Sequence, residues 1–229
     1  MKKTHRIKNV ALIHQEKLGE AEDNPYLSLH RLKLQNTYDD NTLSTVYPYD
    51  AVLRKWLDAV AVVLIARIDG RLHVCLRSAI RPPLLLRKQS VLPIAETHDS
   101  AVLWELPAGL LEPEDIGEEG IIQRAQIEVL EETGYNLMES QMWLLSGAPL
   151  VSPGTIPERL WFAVAEVQDV LERQMPEGDG SPVEENAEIQ WVALERALCL
   201  CDDGAIDDMK TELGIRRIAS VLKRDGENL

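Results

Sequence analysis

The chain has 229 residues, 45% of them hydrophobic, enough to bury a sizeable core in one large domain or one medium domain with a small addition. Its 24 basic residues face 38 acidic ones, and a net charge of −14 argues against polynucleotides, whose phosphates are neutralised by Lys and Arg. The longest apolar run, residues 59–66, is strand length and far short of the ~20 residues that span a bilayer.

A small anionic ligand stays open, because local arginines or a metal ion can reverse the field. Residues 1–24 are polar and mixed, and read as a frayed end with some helix; Gln15, Glu16 and Lys17 follow the basic start too soon for a signal-peptide core. From Tyr26 the text YLSLHRLKLQ alternates at period two, the mark of a strand with one face exposed. YDDN supplies a turn, and TLSTVYPYD a second short strand ending near Pro48. Residues 59–67 and 72–77 then form two strands joined at Asp69-Gly70, a strong hairpin signal. The first is apolar on successive residues, as in a strand covered on both faces. RPPLLLRK breaks the pattern, and residues 100–106 resume it.

Between Gly117 and Thr133 the period becomes helical, with Ile122, Ala125 and Val129 on one face and Gly134 where a C-terminal cap belongs. Strands return at 143–148, 159–167 and 188–193, the last two separated by the loop ERQMPEGDGSPVEE. The end of the chain reads as a closing amphipathic helix. Strands and helices mix without regular alternation, which predicts an α+β fold. The three cysteines, Cys75, Cys199 and Cys201, suit free thiols in a reducing cytoplasm, and the Cys-x-Cys of CLCDD lacks the second pair that a zinc site needs.

The helix carries Glu128, Glu131 and Glu132 at i, i+3 and i+4, within about 100° of arc. Like charges at this spacing cost an isolated helix a few tenths of a kcal/mol per pair, roughly, and Arg124 on the same arc offsets part of that. One reading is a solvated acidic face. The other is a site for a hard divalent cation, since Mg²⁺ takes oxygen ligands and joins carboxylates to substrate phosphates.

The surroundings favour the second. Residues 104–135, WELPAGLLEPEDIGEEGIIQRAQIEVLEETGY, resemble the Nudix box of the Nudix hydrolases, a glycine-led loop followed by a helix bearing R-E-x-x-E-E-x-G. The resemblance implies a Nudix-type α/β/α sandwich over residues 58–229, with a small antiparallel sheet in residues 1–57 that serves dimerisation. It implies that Glu128, Glu131 and Glu132 bind catalytic Mg²⁺, replaceable by Mn²⁺, with Ala108 as a further ligand. Two departures stand out. The box arginine is Ile127 here, with Arg124 as a substitute by spacing. Between Gly109 and Glu119, the outer glutamate, lie nine residues instead of five.

SPGTIPER (152–159) and EENAEIQ (184–190) resemble segments of the ADP-ribose pyrophosphatases. By that likeness Glu185 activates the attacking water, while Arg81, Glu105 and Glu158 bind substrate; the second acidic position of the loop is Ala187, with Glu188 beside it. The implied activity is Mg²⁺-dependent hydrolysis of ADP-ribose to AMP and ribose 5-phosphate, or of a related nucleoside diphosphate sugar, by a cytoplasmic homodimer that engages neither polynucleotide nor membrane. Trp104, Trp161 or a residue donated across the dimer could stack on the base. Ile127 and Ala187 keep a different class open: a catalytically silent Nudix domain that senses a nucleotide ligand.

Overall fold

The computed structural model describes residues 6–18, 26–95, 101–176, 187–224 and 226. The chain forms two compact units, Met1–Leu57 with Leu150–Arg159, and Asp58–Pro149 with Leu160–Leu229.

The first unit is an antiparallel sheet of β1 (Ile7–Leu18), β2 (Leu27–Tyr38) and β3 (Tyr47–Arg54), in that order. Burial alternates along β2 as read, but from Leu27 to Arg31 it is Ser28 and His30 that are half-buried while Leu27 and Leu29 face out. Residues 7–18, expected to be frayed with some helix, are instead a strand that stays exposed along almost its whole length. Its extended state is imposed by pairing, with Leu12 opposite Leu34 and Leu18 opposite Leu29. The next strand, expected in TLSTVYPYD with its end near Pro48, instead begins at Tyr47 and runs to Arg54; β3 ends the strand order, where a proline's missing donor is tolerated. A short hairpin of β9 (Leu150–Ser152) and the start of β10 (Ile156–Val167) completes this unit. Thr155 accepts a hydrogen bond from Val52 N at 2.8 Å, and Glu158 pairs with Arg54 at 2.5 Å.

The second unit is built on a mixed sheet ordered β11-β5-β4-β10-β8, with β6 (Val102–Glu105) on β5 and β7 (Ala108–Leu110) on β4. β4 (Ala59–Ile68) runs parallel to β10 and antiparallel to β5 (Arg71–Ile80), to which it turns through Asp69 and Gly70, both at positive φ. Two left-handed residues in a two-residue turn match the twist of the strands they join. The outer strands are β8 (Met142–Leu144) and β11 (Ile189–Ala193). β4 is buried from Ala59 to Ala66, as its unbroken apolar run predicts.

Successive β4 side chains point to opposite faces, and each face has its own helix. Val60, Val62 and Leu64 join Ile121, Ala125 and Val129 of α1 (Gly117–Thr133) in one core cluster. On the other face α3 (Met209–Arg224) brings Gly214 against Val63 and Phe162, where an added Cβ would meet both at 3.2 Å. Helix on sheet on helix is the expected sandwich. The 9-residue α2 (Leu194–Asp202), which packs against α3, β5 and β11, was not foreseen from the sequence. RPPLLLRK falls in a 3-10 turn, Pro82–Gln89. Cys75 and Cys201 are buried and Cys199 is exposed; burial pushes the Cys75 thiol up to about 12. No helix among the described residues is long and apolar enough to cross a membrane.

Candidate active site

The apolar stripe of α1 sets how the helix is rotated, and that rotation aims its glutamates. With Ile121, Ala125 and Val129 turned into the core, Glu128 and Glu132 lie one turn apart at the helix edge, directed at β7. Ala108 N donates to Glu132 Oε2 at 2.8 Å. Glu128 presses its carboxylate on Gly109 so closely that a Cβ there would overlap it. An alanine at 109 would have to push that carboxylate aside. Glu131 is half-buried, while Ile127 points out, 40% exposed. Gly134 closes the helix in the left-handed region, its N–H bonded to Leu130 O at 2.9 Å.

Arg124 ties the long loop ahead of α1 to the helix. Its Nε donates to Asp115 Oδ2 at 2.8 Å, and its other nitrogens lie 3.2 Å from Glu112 and 3.9 Å from Glu128. Burial is the largest influence and lowers the Arg124 pKa, but the Asp115, Glu112 and Glu128 carboxylates together outweigh it and raise the pKa. Asp115 also accepts from Glu112 N at 2.8 Å, so the extra residues of the loop fold around one carboxylate.

Two further ion pairs lie on β5 and β6. Arg77, 4% exposed, donates from Nη1 to Glu132 Oε1, and its Nε has no hydrogen-bond partner among the described residues. Arg81 grips the buried Glu105 with both arms of its guanidinium, at 2.9 and 2.6 Å, while remaining about half exposed itself. The pairing raises the Arg81 pKa further. Lys210, in the first turn of α3, also donates to Glu105 Oε2 and to Asp208 at 2.9 Å. Burial alone would raise the Glu105 pKa; Arg81 and Lys210 overcome it and hold the carboxyl below the ordinary 4.5.

Of the residues expected from the sequence, Ala108, Glu128 and Glu132 are brought together, with Glu131 on the same helix, and Arg81 with Glu105. Glu158 belongs to the first unit, on Arg54. Glu185 lies outside the described residues; Glu188 is fixed beside β5, exchanging 2.8 Å hydrogen bonds with Ser78. Trp161 lines an open cleft with Glu119 and Trp143. Arg77, Lys210 and Asp115 were not singled out beforehand. One signal for Lys210 was available: a cation in the first turn of a helix opposes the helix dipole and needs carboxylate partners.

The donor set fits a hard divalent cation. Two carboxylates one turn apart face a strand whose glycine makes room for one of them. Among the described residues no three His, Cys, Asp or Glu converge enough to enclose an ion. Mg²⁺ rarely needs that, since it keeps several waters and completes its octahedron with substrate phosphates.

A family model of the NUDIX domain matches residues 57–212. Among solved structures, an ADP compounds hydrolase shares the fold with a TM-score of 0.64 and 14% identity, over 97% of this chain and 98% of its own. A C. elegans Ap4A hydrolase in a binary complex gives a TM-score of 0.46 and 17% identity, over 73% of this chain and 98% of its own. No curated protein matches in sequence.

Proposed function

Because the chain belongs to the Nudix family, with the family's domain spanning residues 57–212, we propose that it hydrolyses the diphosphate bond of ADP-ribose or a related nucleoside diphosphate sugar. The observation that carries this reading is the pair Glu128 and Glu132, aimed from one helix at Ala108 and Gly109. The likeness in fold to an ADP compounds hydrolase supports the substrate class.

Glu128, Glu131 and Glu132, with Ala108, would hold the Mg²⁺. Bound there, the metal would neutralise charge on the phosphate oxygens and lower the pKa of water. Arg81 keeps N–H donors beyond the two given to Glu105, and its half-exposed guanidinium presents them to a phosphoryl oxygen. Glu105, ionised and anchored by Lys210, fixes the direction of that fork. Glu185 would take the proton of the attacking water, three residues before the point where Glu188 is tied to Ser78. ADP-ribose would give AMP and ribose 5-phosphate. Glu158 is assigned to substrate recognition by sequence likeness. The exposed apolar side chains of the first unit, Ile7, Val10, Leu12 and Ile13 among them, support association of two copies through that sheet.

The test is product analysis with ADP-ribose and a panel of nucleotide sugars, with Mg²⁺ and with chelator. Metal-dependent AMP release from ADP-ribose is expected. Preference for a hexose-linked nucleotide would change the substrate and keep the chemistry. The outward Ile127 at the box-arginine position favours a second reading, a silent ligand sensor. Saturable binding of ADP-ribose without turnover would replace the first reading with that one.

A further inference from the structure

Glu132 is already neutralised by the protein itself. Both of its oxygens carry a donor, Arg77 Nη1 on Oε1 and Ala108 N on Oε2, and both side chains of the ion pair are 5% exposed. Yet Arg77 is not held by a complete bonding set, because among the described residues its buried Nε finds no partner. An unfilled buried donor is unfavourable, so charge attraction to Glu132, not a saturated network, keeps the guanidinium there.

We propose that Arg77 is the resident counter-ion of Glu132 and competes with the divalent cation for that carboxylate. The proposal rests on the reading of Glu132 as a metal ligand. A guanidinium and a dication on one buried carboxylate repel each other; at ~5 Å, even in a high dielectric, the repulsion lowers affinity by about tenfold. Arg77 has somewhere to turn. Its directly opposed partner on β6 is Glu105, and residues so opposed share a face of the sheet. Metal loading and movement of Arg77 toward the Glu105 cluster are thus one exchange of ion pairs inside the site.

The experiment is Mn²⁺ binding without substrate, followed by the electron paramagnetic resonance of the free ion. It compares the full chain with Arg77→Met, Glu132→Gln and the double variant. Arg77→Met should bind Mn²⁺ about tenfold more tightly, a gain absent when Glu132→Gln is also present. Unchanged or weaker Mn²⁺ binding in Arg77→Met, with Glu132→Gln itself weakening binding, would overturn the proposal and leave the metal site standing. Glu132→Gln without effect on Mn²⁺ affinity would overturn both. Should Arg77→Met fail to fold, the wild-type protein answers through its arginine Nε–H signals. The Arg77 resonance should shift when Mg²⁺ is added, and a resonance indifferent to Mg²⁺ would overturn the proposal.

Discussion

Gly109 shows how narrow the tolerances of the site are. Its backbone is ordinary strand, so alanine brings no conformational penalty; what it brings is a methyl where the Glu128 carboxylate lies. Gly109→Ala should therefore cut kcat by about 100-fold, the scale of loss when a catalytic group is displaced by about an ångström, while the far-ultraviolet circular dichroism stays native. Activity near wild type would mean that Glu128 can work from another position. Glu105 gives a prediction in pH. Its folded pKa is depressed below 4.5, so its contribution to stability is present above that value and lost as pH falls through the folded pKa. Glu105→Gln should flatten this acid limb in urea melts taken below the ordinary carboxyl value of 4.5. An unchanged limb would assign the acid sensitivity to other carboxylates. Such details were only partly legible in the sequence. Motif spacing exposed the glutamates, but nothing in one dimension says that Arg77, 55 positions earlier, lies against Glu132.

At the scale of elements, α1 was the most legible part. Its core stripe, length and glycine stop are all local properties, and the helix runs to Thr133 with Gly134 as its cap. That cap has a second duty, for the Gly134 carbonyl accepts from Gln174 N at 2.8 Å, and a Cβ would strike the Gln174 backbone. Gly134→Ala should cost at least about 1 kcal/mol for the left-handed backbone alone, read as a lowered urea midpoint. A loss below that would mean the helix end can refold around alanine. β1 and α2 were the least legible. β1 buries almost nothing, so no alternation marks it, and its strand state comes from β2. LERALCLCD is a short helix that gains its stability from α3 and β5, while its paired cysteines draw the eye to metal chemistry instead.

At the scale of the whole molecule, the first unit displays more apolar surface than a solitary three-stranded sheet keeps. Ile7, Val10, Leu12, Ile13, Leu27 and Leu29 are each more than 40% exposed. Light scattering at micromolar concentration should give a dimer, and Leu12→Glu with Leu29→Glu should give a monomer. A wild-type monomer would sink the dimer.

The first unit is also not contiguous. Residues 150–159 return to it, bonding Val52 and Tyr49 and pairing Glu158 with Arg54. On the ribosome, β1 to β3 emerge long before that hairpin exists. At about 5–20 residues per second, the wait is roughly 5–20 s. Through that interval the side of β3 that residues 150–159 will bond, at Tyr49, Val52 and Arg54, is left open beside a sheet rich in exposed leucine and isoleucine. The order of the chain thus makes early life in the cell the period of greatest aggregation risk, and slowing translation before residue 159 should lower the soluble yield of an otherwise unaltered protein.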